Sequence, residues 1–194
     1  MDDDLIKLHK DLRRLHEVLR AKTKETYGRI NPFVEDLFDW KERGAFWSGS
    51  DKNITIYNSA TVVGDVSIGK NSWIGPNCAL DGSGGLHIGE YCSISSGVQI
   101  VTHDTVKWAL SGGRFHKESA PVRIGDCCYI GSHAIIIKGV TVGNHCLVAA
   151  GAVVVRDVPS YSIVAGVPAR TIGHVVVEPD GNVNLRFGNL KGKA

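Results

Sequence analysis

Eight histidines are spread along this chain of 194 residues, and two of them stand in a stretch dense with other groups that could do chemistry. His9 and His16 fall on the polar side of a leucine-patterned segment, His87, His133 and His145 take outward positions in a repeat described below, and His174 lies in the tail. His103 and His116 fall within residues 101–123, together with Thr102, Asp104, Lys107, Trp108, Arg114, Lys117 and Glu118. A histidine with a pKa of about 6.5 can take a proton from a hydroxyl or an amine near neutral pH. A loop histidine bonded to backbone is the competing reading for either one. Asp104 or Glu118 could orient an imidazole through its second nitrogen, and the sequence does not choose between them. Trp108 could offer an apolar face to a ligand ring or be buried in the core.

These residues interrupt a repeat. Aliphatic side chains recur every six positions at Ile56, Val62, Ile68, Ile74 and Leu80, then after a two-residue slip through Gly82-Ser83-Gly84-Gly85 at Ile88, Ile94 and Ile100. The count resumes beyond the interruption at Ile124, Ile130, Ile136, Val142, Val148 and Val154, and glycine follows the aliphatic at six of these fourteen sites. A period of six fits neither a helix nor a single alternating strand, but it fits short strands joined by sharp corners, the pattern of a β-helix. The aliphatic then points into the bore, and the glycine after it is expected to ease the corner, where φ > 0 is often required. A small residue four positions after each aliphatic forms a second inward phase that takes in Cys78, Cys92, Cys128 and Cys146, which read as small hydrophobes. Cys127 is out of phase and outward, with no base beside it. Neither a disulfide framework nor CxxC spacing is visible.

Length allows one domain or a marginal two. Apolar content of 43% and charged content of 22% are ordinary for a globular chain, and a net charge of +2 gives no electrostatic case for gripping nucleic acid. The longest apolar run, residues 146–155, falls well short of the ~20 residues of a membrane span. The acidic start Met1-Asp2-Asp3-Asp4 is opposite in sign to a secretory leader, so the expected location is cytoplasmic.

The hexads, with Ile124-Gly125-Asp126, Tyr129-Ile130-Gly131-Ser132-His133, Lys138-Gly139-Val140-Thr141-Val142-Gly143, Ala149-Ala150-Gly151-Ala152-Val153-Val154 and Ala165-Gly166-Val167-Pro168-Ala169-Arg170, resemble the left-handed β-helix acyltransferases. The ordered string is similar to the branch holding galactoside, maltose, xenobiotic and surface-polysaccharide sugar acetyltransferases. The resemblance implies an all-β solenoid, a left-handed parallel β-helix with three hexads per coil and four to five coils, assembled as a homotrimer. It implies acetyl-CoA as co-substrate and a sugar or sugar-nucleotide acceptor acetylated on a hydroxyl or amino group, in bacterial surface polysaccharide (O-antigen, lipopolysaccharide or capsule) synthesis. It places the catalytic histidine at His103; His116 keeps a lesser claim from its position in the loop, where the family has no fixed pattern. It places the donor in a groove between prisms, with Gly131, Ser132, Ala149 and Ala150 along the pantetheine arm, Arg156 and Arg170 at phosphates, and Gly166 and Pro168 in the closing string. Val155-Arg156-Asp157 departs from the Thr-Lys-Asp common at that point. No resident metal is implied. A γ-type carbonic anhydrase needs three zinc-binding histidines, and the His-x4-His pair is missing; a non-catalytic scaffold has no use for a histidine-bearing loop.

Three segments are expected. Residues 1–50 form an amino-terminal helical segment, with one helix over 3–24 on a 3-4-3-4 leucine pattern and another from Pro32 to about Gly44. The first reads as a helix packed on its own prism or a neighbour's, or as a short coiled coil. Residues 51–172 form the β-helix with residues 101–123 inserted, and residues 173–194 form a hairpin turning at Asp180-Gly181, with 191–194 frayed.

Overall fold

In the computed structural model, which describes residues 2–49 and 52–188, the hexads close into a parallel β-helix. The frayed end expected at 191–194 lies outside the described residues. Three helices come first: α1 (Asp3–Tyr27), α2 (Phe33–Leu37) and α3 (Trp40–Ser48). Coil one then holds β1 (Thr55–Ile56) and β2 (Thr61–Ile68), and coil two holds β3 (Trp73–Ile74) and β4 (Ala79–Ile88). Coil three holds β5 (Ser93–Ile94) and β6 (Gln99–Ile100). It then detours through β7 (His103–Asp104), α4 (Val106–Leu110) and β8 (Glu118–Ser119) before closing with β9 (Val122–Ile124). Coil four holds β10 (Tyr129–Ile130), β11 (Ile135–Ile136) and β12 (Thr141–Val142), and coil five holds β13 (Leu147–Val148) and β14 (Val153–Val154). β15 (Ser162–Ala165) begins a sixth coil, and β16 (Arg170–Val177) and β17 (Val183–Phe187) turn back antiparallel as the hairpin.

Register converts the six-residue period into three columns. Ile56, Ile74, Ile94, Ile130, Val148 and Val164 stack on the first face. Val62, Leu80, Ile100, Ile136 and Val154 stack on the second. Ile68, Ile88, Ile124, Val142 and Val158 stack on the third. All but Val62 are buried, so the bore is a continuous aliphatic core whose fully buried members each contribute about 1.5–3 kcal/mol. The columns add Val158 and Val164 to the fourteen expected sites and make five coils with a sixth begun, more than the four to five expected. Val158 follows Val154 by four residues rather than six, which hides it from a six-residue count.

Corner geometry differs from expectation. Positive φ is found three residues after the aliphatic, at Asn71, Asn77, Tyr91, Gly97, Cys127, His133, Gly139, His145 and Gly151, and not at the glycine immediately after it. That glycine is required by the stacking of coils: a Cβ on Gly69 would lie 2.5 Å from the Gly89 carbonyl carbon of the next coil. The inward cysteines do pack as small groups, and they also donate across coils. Cys92 Sγ reaches Gly125 O at 3.1 Å, Cys128 Sγ reaches Gly143 O at 3.0 Å and Cys146 Sγ reaches Pro159 O at 3.1 Å.

The segment expected as one helix from Pro32 to Gly44 is two, because the extended backbone at Phe38 and Asp39 breaks it and the Asp39 side chain caps α3 through Lys41 N and Glu42 N. The two helices cover the first coil. Buried Glu35 accepts from Asn58 N at 2.9 Å and Ser59 N at 2.7 Å, and Arg43 donates to Tyr57 O and to Ala60 O at 2.7 Å. Among the described residues no helix is long and apolar enough to cross a membrane.

Candidate active site

The corner between the second and third faces is the irregular one. In coils one and two β2 and β4 each continue through it as one strand, with a register shift at Gly64–Val66 and left-handed glycines at Gly64 and Gly85, and in coil three residues 101–121 leave the prism there. β4 pairs with β6 through Ala79 opposite Gln99 and Leu80 opposite Ile100, so the next residue of β4, Asp81, lies beneath the start of the detour. Thr102 is fully buried at that point; its Oγ1 accepts from Gly84 N at 2.7 Å and its carbonyl from Ala120 N at 2.9 Å, which fixes both ends of the detour to the prism.

His103 follows directly. Its Nδ1 stands 2.7 Å from Asp81 Oδ2 and 2.8 Å from Ser83 Oγ. Ser83 Oγ donates to Asp81 Oδ1 at 2.6 Å, Ser83 N donates to the same oxygen at 3.0 Å, and Thr102 N donates to Asp81 Oδ2 at 2.9 Å. Burial is the largest influence on the Asp81 carboxyl and would raise its pKa. The Ser83 hydroxyl, the Thr102 and Ser83 amides and the His103 ring together outweigh it and hold the carboxyl well below the usual carboxylate range. An ionised Asp81 accepts a hydrogen bond from Nδ1–H, so in the neutral ring the lone pair belongs to Nε2. The side chains are 38% exposed for His103 and 18% for Asp81, so the ring is reachable while its anchor is largely covered.

Neither Asp104 nor Glu118 occupies the orienting position. β7 pairs with β8 with Asp104 opposite Glu118, and Lys138 of the next coil bridges the two, with Nζ 3.3 Å from Asp104 Oδ2 and 3.2 Å from Glu118 Oε2. Lys107 closes on Glu118 as well. The Val106 amide, then Lys138, lowers the Asp104 carboxyl, and Lys107, then Lys138, lowers that of Glu118. This ion cluster pins the detour beside His103. Trp108 sits half exposed on α4, and His116 is exposed in the stretch between α4 and β8.

The expected donor residues divide between two corners. Gly131, Ser132, Ala149, Ala150 and Gly166 follow first-face strands and stack along the corner between the first and second faces. A Cβ on Gly131 would meet Ala150 N at 2.5 Å, so this corner is built of backbone in close contact, with small side chains along it, a surface that fits a narrow amide-bearing chain. Lower on the same corner, Ser132 lines a groove of about 550 Å³ with Ser96, Asn77, Trp73, Tyr57 and Arg29. Arg156 is not on this corner: two residues after the second-face strand β14, it lies on the corner where Lys138 and Thr102 stand, one residue before His103. Pro168 is exposed just before β16, and exposed Arg170, which opens it, turns Nη1 back onto Ala169 O at 2.8 Å. Asp81 and Ser83 were missed by sequence reasoning. Their signal in the sequence is the two-residue slip through Gly82-Ser83-Gly84-Gly85. Among the described residues no group of three or more His, Cys, Asp or Glu is arranged to hold a metal ion.

The family model described as hexapeptide repeat of succinyl-transferase matches residues 65–101 and 121–156, the two blocks on either side of the His103 detour, so these blocks are similar to the repeats of that family. Galactoside O-acetyltransferase of Escherichia coli K12 is 28% identical over 129 residues, covering 56% of this chain and 64% of that protein. Serine acetyltransferase 2 of Arabidopsis thaliana is 34% identical over 118 residues, covering 61% of this chain and 35% of that protein. The chain thus spans less than two thirds of each of these relatives. AntD, an N-acyltransferase from Bacillus cereus solved with dTDP and 3-hydroxybutyryl-CoA, superposes with a TM-score of 0.56 at 26% identity, over 62% of this chain and 68% of that one. A variant of AntD, with a TM-score of 0.57 at 27% identity, was solved with dTDP-4-amino-4,6-dideoxyglucose and coenzyme A.

Proposed function

We propose that this chain is an acetyl-CoA-dependent acetyltransferase that modifies a hydroxyl or amino group of a sugar during surface-polysaccharide assembly, working as a homotrimer with His103 as general base. The observation that carries the reading is the Asp81–His103 pair at 2.7 Å, placed where the repeat breaks. Asp81 fixes the ring so that Nε2 faces outward with its lone pair, the arrangement a base needs toward an acceptor O–H or N–H. The donor supplies an activated thioester carbonyl. As the acceptor forms its new bond to that carbon and the C–S bond breaks, the acceptor proton passes to Nε2, and the departing thiolate can take it back. An amide near Ser132 is suited to the developing oxyanion.

Coenzyme A is supported by AntD, solved with coenzyme A and an acylated form of it, and a sugar acceptor by the galactoside enzyme. A second reading, N-acylation of a nucleotide-linked amino sugar, is favoured by the dTDP-amino sugar in AntD. The relatives do not agree on acceptor, since one is a serine acetyltransferase. The test is product mass after incubation with acetyl-CoA and a panel of hydroxy and amino sugars, free and nucleotide-linked, with serine included. A gain of one acetyl on a sugar supports the reading. Acetylserine alone would move the acceptor to an amino acid, and bound zinc without coenzyme A binding would point to a carbonic anhydrase.

A further inference from the structure

α1 stands away from the prism. None of its residues is buried, and its contacts lie in its second half, where His16 meets the Phe33 ring at 4.9 Å between centroids and Thr23 Oγ1 donates to Asp36 Oδ1 at 3.0 Å. The helix is well made nonetheless, capped by Asp2 at one end and by left-handed Gly28 at the other. Its first half leaves a stripe in solvent: Leu5 is 56% exposed, Leu8 54%, Leu12 43% and Leu15 43%. Four leucines in line at 3-4-3 spacing on a helix that ignores its own core need another surface.

The flanking charges say which one. With Leu5 and Leu12 at the a positions of a heptad and Leu8 and Leu15 at d, Asp4 and Asp11 fall at g and His9 and His16 at e. In a parallel, in-register pair each g residue faces the e residue of the following heptad on the other helix. Asp4 then meets His9 of a second copy, while His16, the next e residue, is turned toward Phe33 of its own chain. An antiparallel pair would set Asp against Asp and His against His. Lys7, Lys10, Arg13, Arg14 and Glu17 remain on the outer face in either case. The acidic residues beside the stripe also oppose docking on an anionic lipid surface, where a basic flank is wanted.

We propose that α1 pairs with α1 of further copies of this chain as a parallel, in-register left-handed coiled coil closed along Leu5, Leu8, Leu12 and Leu15. Two heptads are too short to hold together alone. The coil therefore depends on the prisms to keep the helices at high local concentration, and in this respect it rests on the oligomer proposed above. A rotation axis running along the helices keeps every copy pointing the same way, in agreement with the parallel sense the charges choose.

The experiment is disulfide trapping in the full chain carrying Cys127→Ser, which removes the exposed thiol. Leu5→Cys lies at the end of the helix, so it meets its counterpart only if the pair is parallel and in register; Lys10→Cys on the outer face is the control. Under mild oxidation Leu5→Cys is expected to form a covalent dimer at least about tenfold faster than Lys10→Cys, because millimolar effective concentration exceeds that of free chains. Equal rates overturn the coiled coil, and equal rates together with a trimeric mass by light scattering overturn it while leaving the prism assembly standing. Sedimentation with phosphatidylserine vesicles that is lost in Leu8→Glu, without trapping, overturns it in favour of a membrane. Fast trapping in a chain that acetylates nothing supports the coil and counts against the enzymatic reading alone.

Discussion

Asp81 and His103 lie about twenty residues apart in sequence and are joined because one coil of the prism is eighteen to twenty residues long, so that a carboxylate on one coil stands beneath an imidazole on the next. His103→Ala should lower turnover by about 10²–10⁴-fold with donor affinity nearly unchanged, since a base acts in proton transfer. If the variant keeps more than half of wild-type turnover while His116→Ala does not, the base is His116. Asp81→Asn leaves a neutral group facing Nδ1 and should cost roughly tenfold or more in kcat, part of the same general-base contribution. It should also destabilise the fold with a defined pH dependence. The folded carboxyl is held below its unfolded value of about 3.9, so its contribution is complete above that pH and is lost as pH falls toward the folded value. The gap in melting temperature between wild type and Asp81→Asn should therefore be full at neutral pH and narrow below about pH 4. A gap that stays constant from pH 7 to pH 3 would mean the carboxylate is not what the variant lost. The sequence announced His103 through its position after the last hexad, yet it hid Asp81, because a partner one coil away leaves no local spacing to read.

At the scale of the element, periodicity exposed nearly the whole solenoid because each hexad repeats the same demand for one aliphatic in the bore. What it could not expose was the geometry of a corner, which depends on contact between coils. The six glycines that follow an aliphatic look like turn residues and are in fact spacers. Gly69→Ala, with its Cβ driven against the Gly89 carbonyl carbon, should cost about 1–3 kcal/mol in unfolding free energy, the usual penalty of overpacking. Asn77→Gly, at a left-handed and exposed corner position, should change stability by less than about 0.5 kcal/mol, as surface substitutions do. Chemical denaturation of the two variants separates the explanations. Were the glycine needed for its φ, Gly69→Ala would behave like an ordinary strained turn, without the coil displacement that its clash requires. The detour at 101–121 was legible as an interruption, whereas its inner order was not. That order comes from Lys138 drawing Asp104 and Glu118 together, a contact between coils once more.

For the whole molecule the division of the proposed site between two corners is the decisive feature. The small-residue corner with Gly131, Ala149, Ala150 and Gly166 borders the second face on one side, and the corner with His103, Lys138 and Arg156 borders it on the other. From Ser96 to His103 the chain crosses that face, a path of at most roughly 20 Å at the rise of an extended strand. A donor lying on the first corner of a prism would be separated by the width of that face from the base proposed for the same prism. A closed three-fold ring joins unlike edges of neighbouring copies, so it can set the small-residue corner of one against the His103 corner of the next. Light scattering under assay conditions should then give three times 20.9 kDa, and a monomeric active form would remove the shared site. Subunit mixing tests the sharing itself. His103→Ala keeps an intact donor corner, and Ala150→Trp, which fills that corner, keeps an intact base. Each variant alone should be nearly inactive. Dissociated and reassembled together in equal amounts, they should recover about a quarter of wild-type activity, because one neighbour pair in four then combines the intact base of one chain with the intact corner of the other. No recovery in mixed trimers confirmed by mass would place base and donor on a single chain.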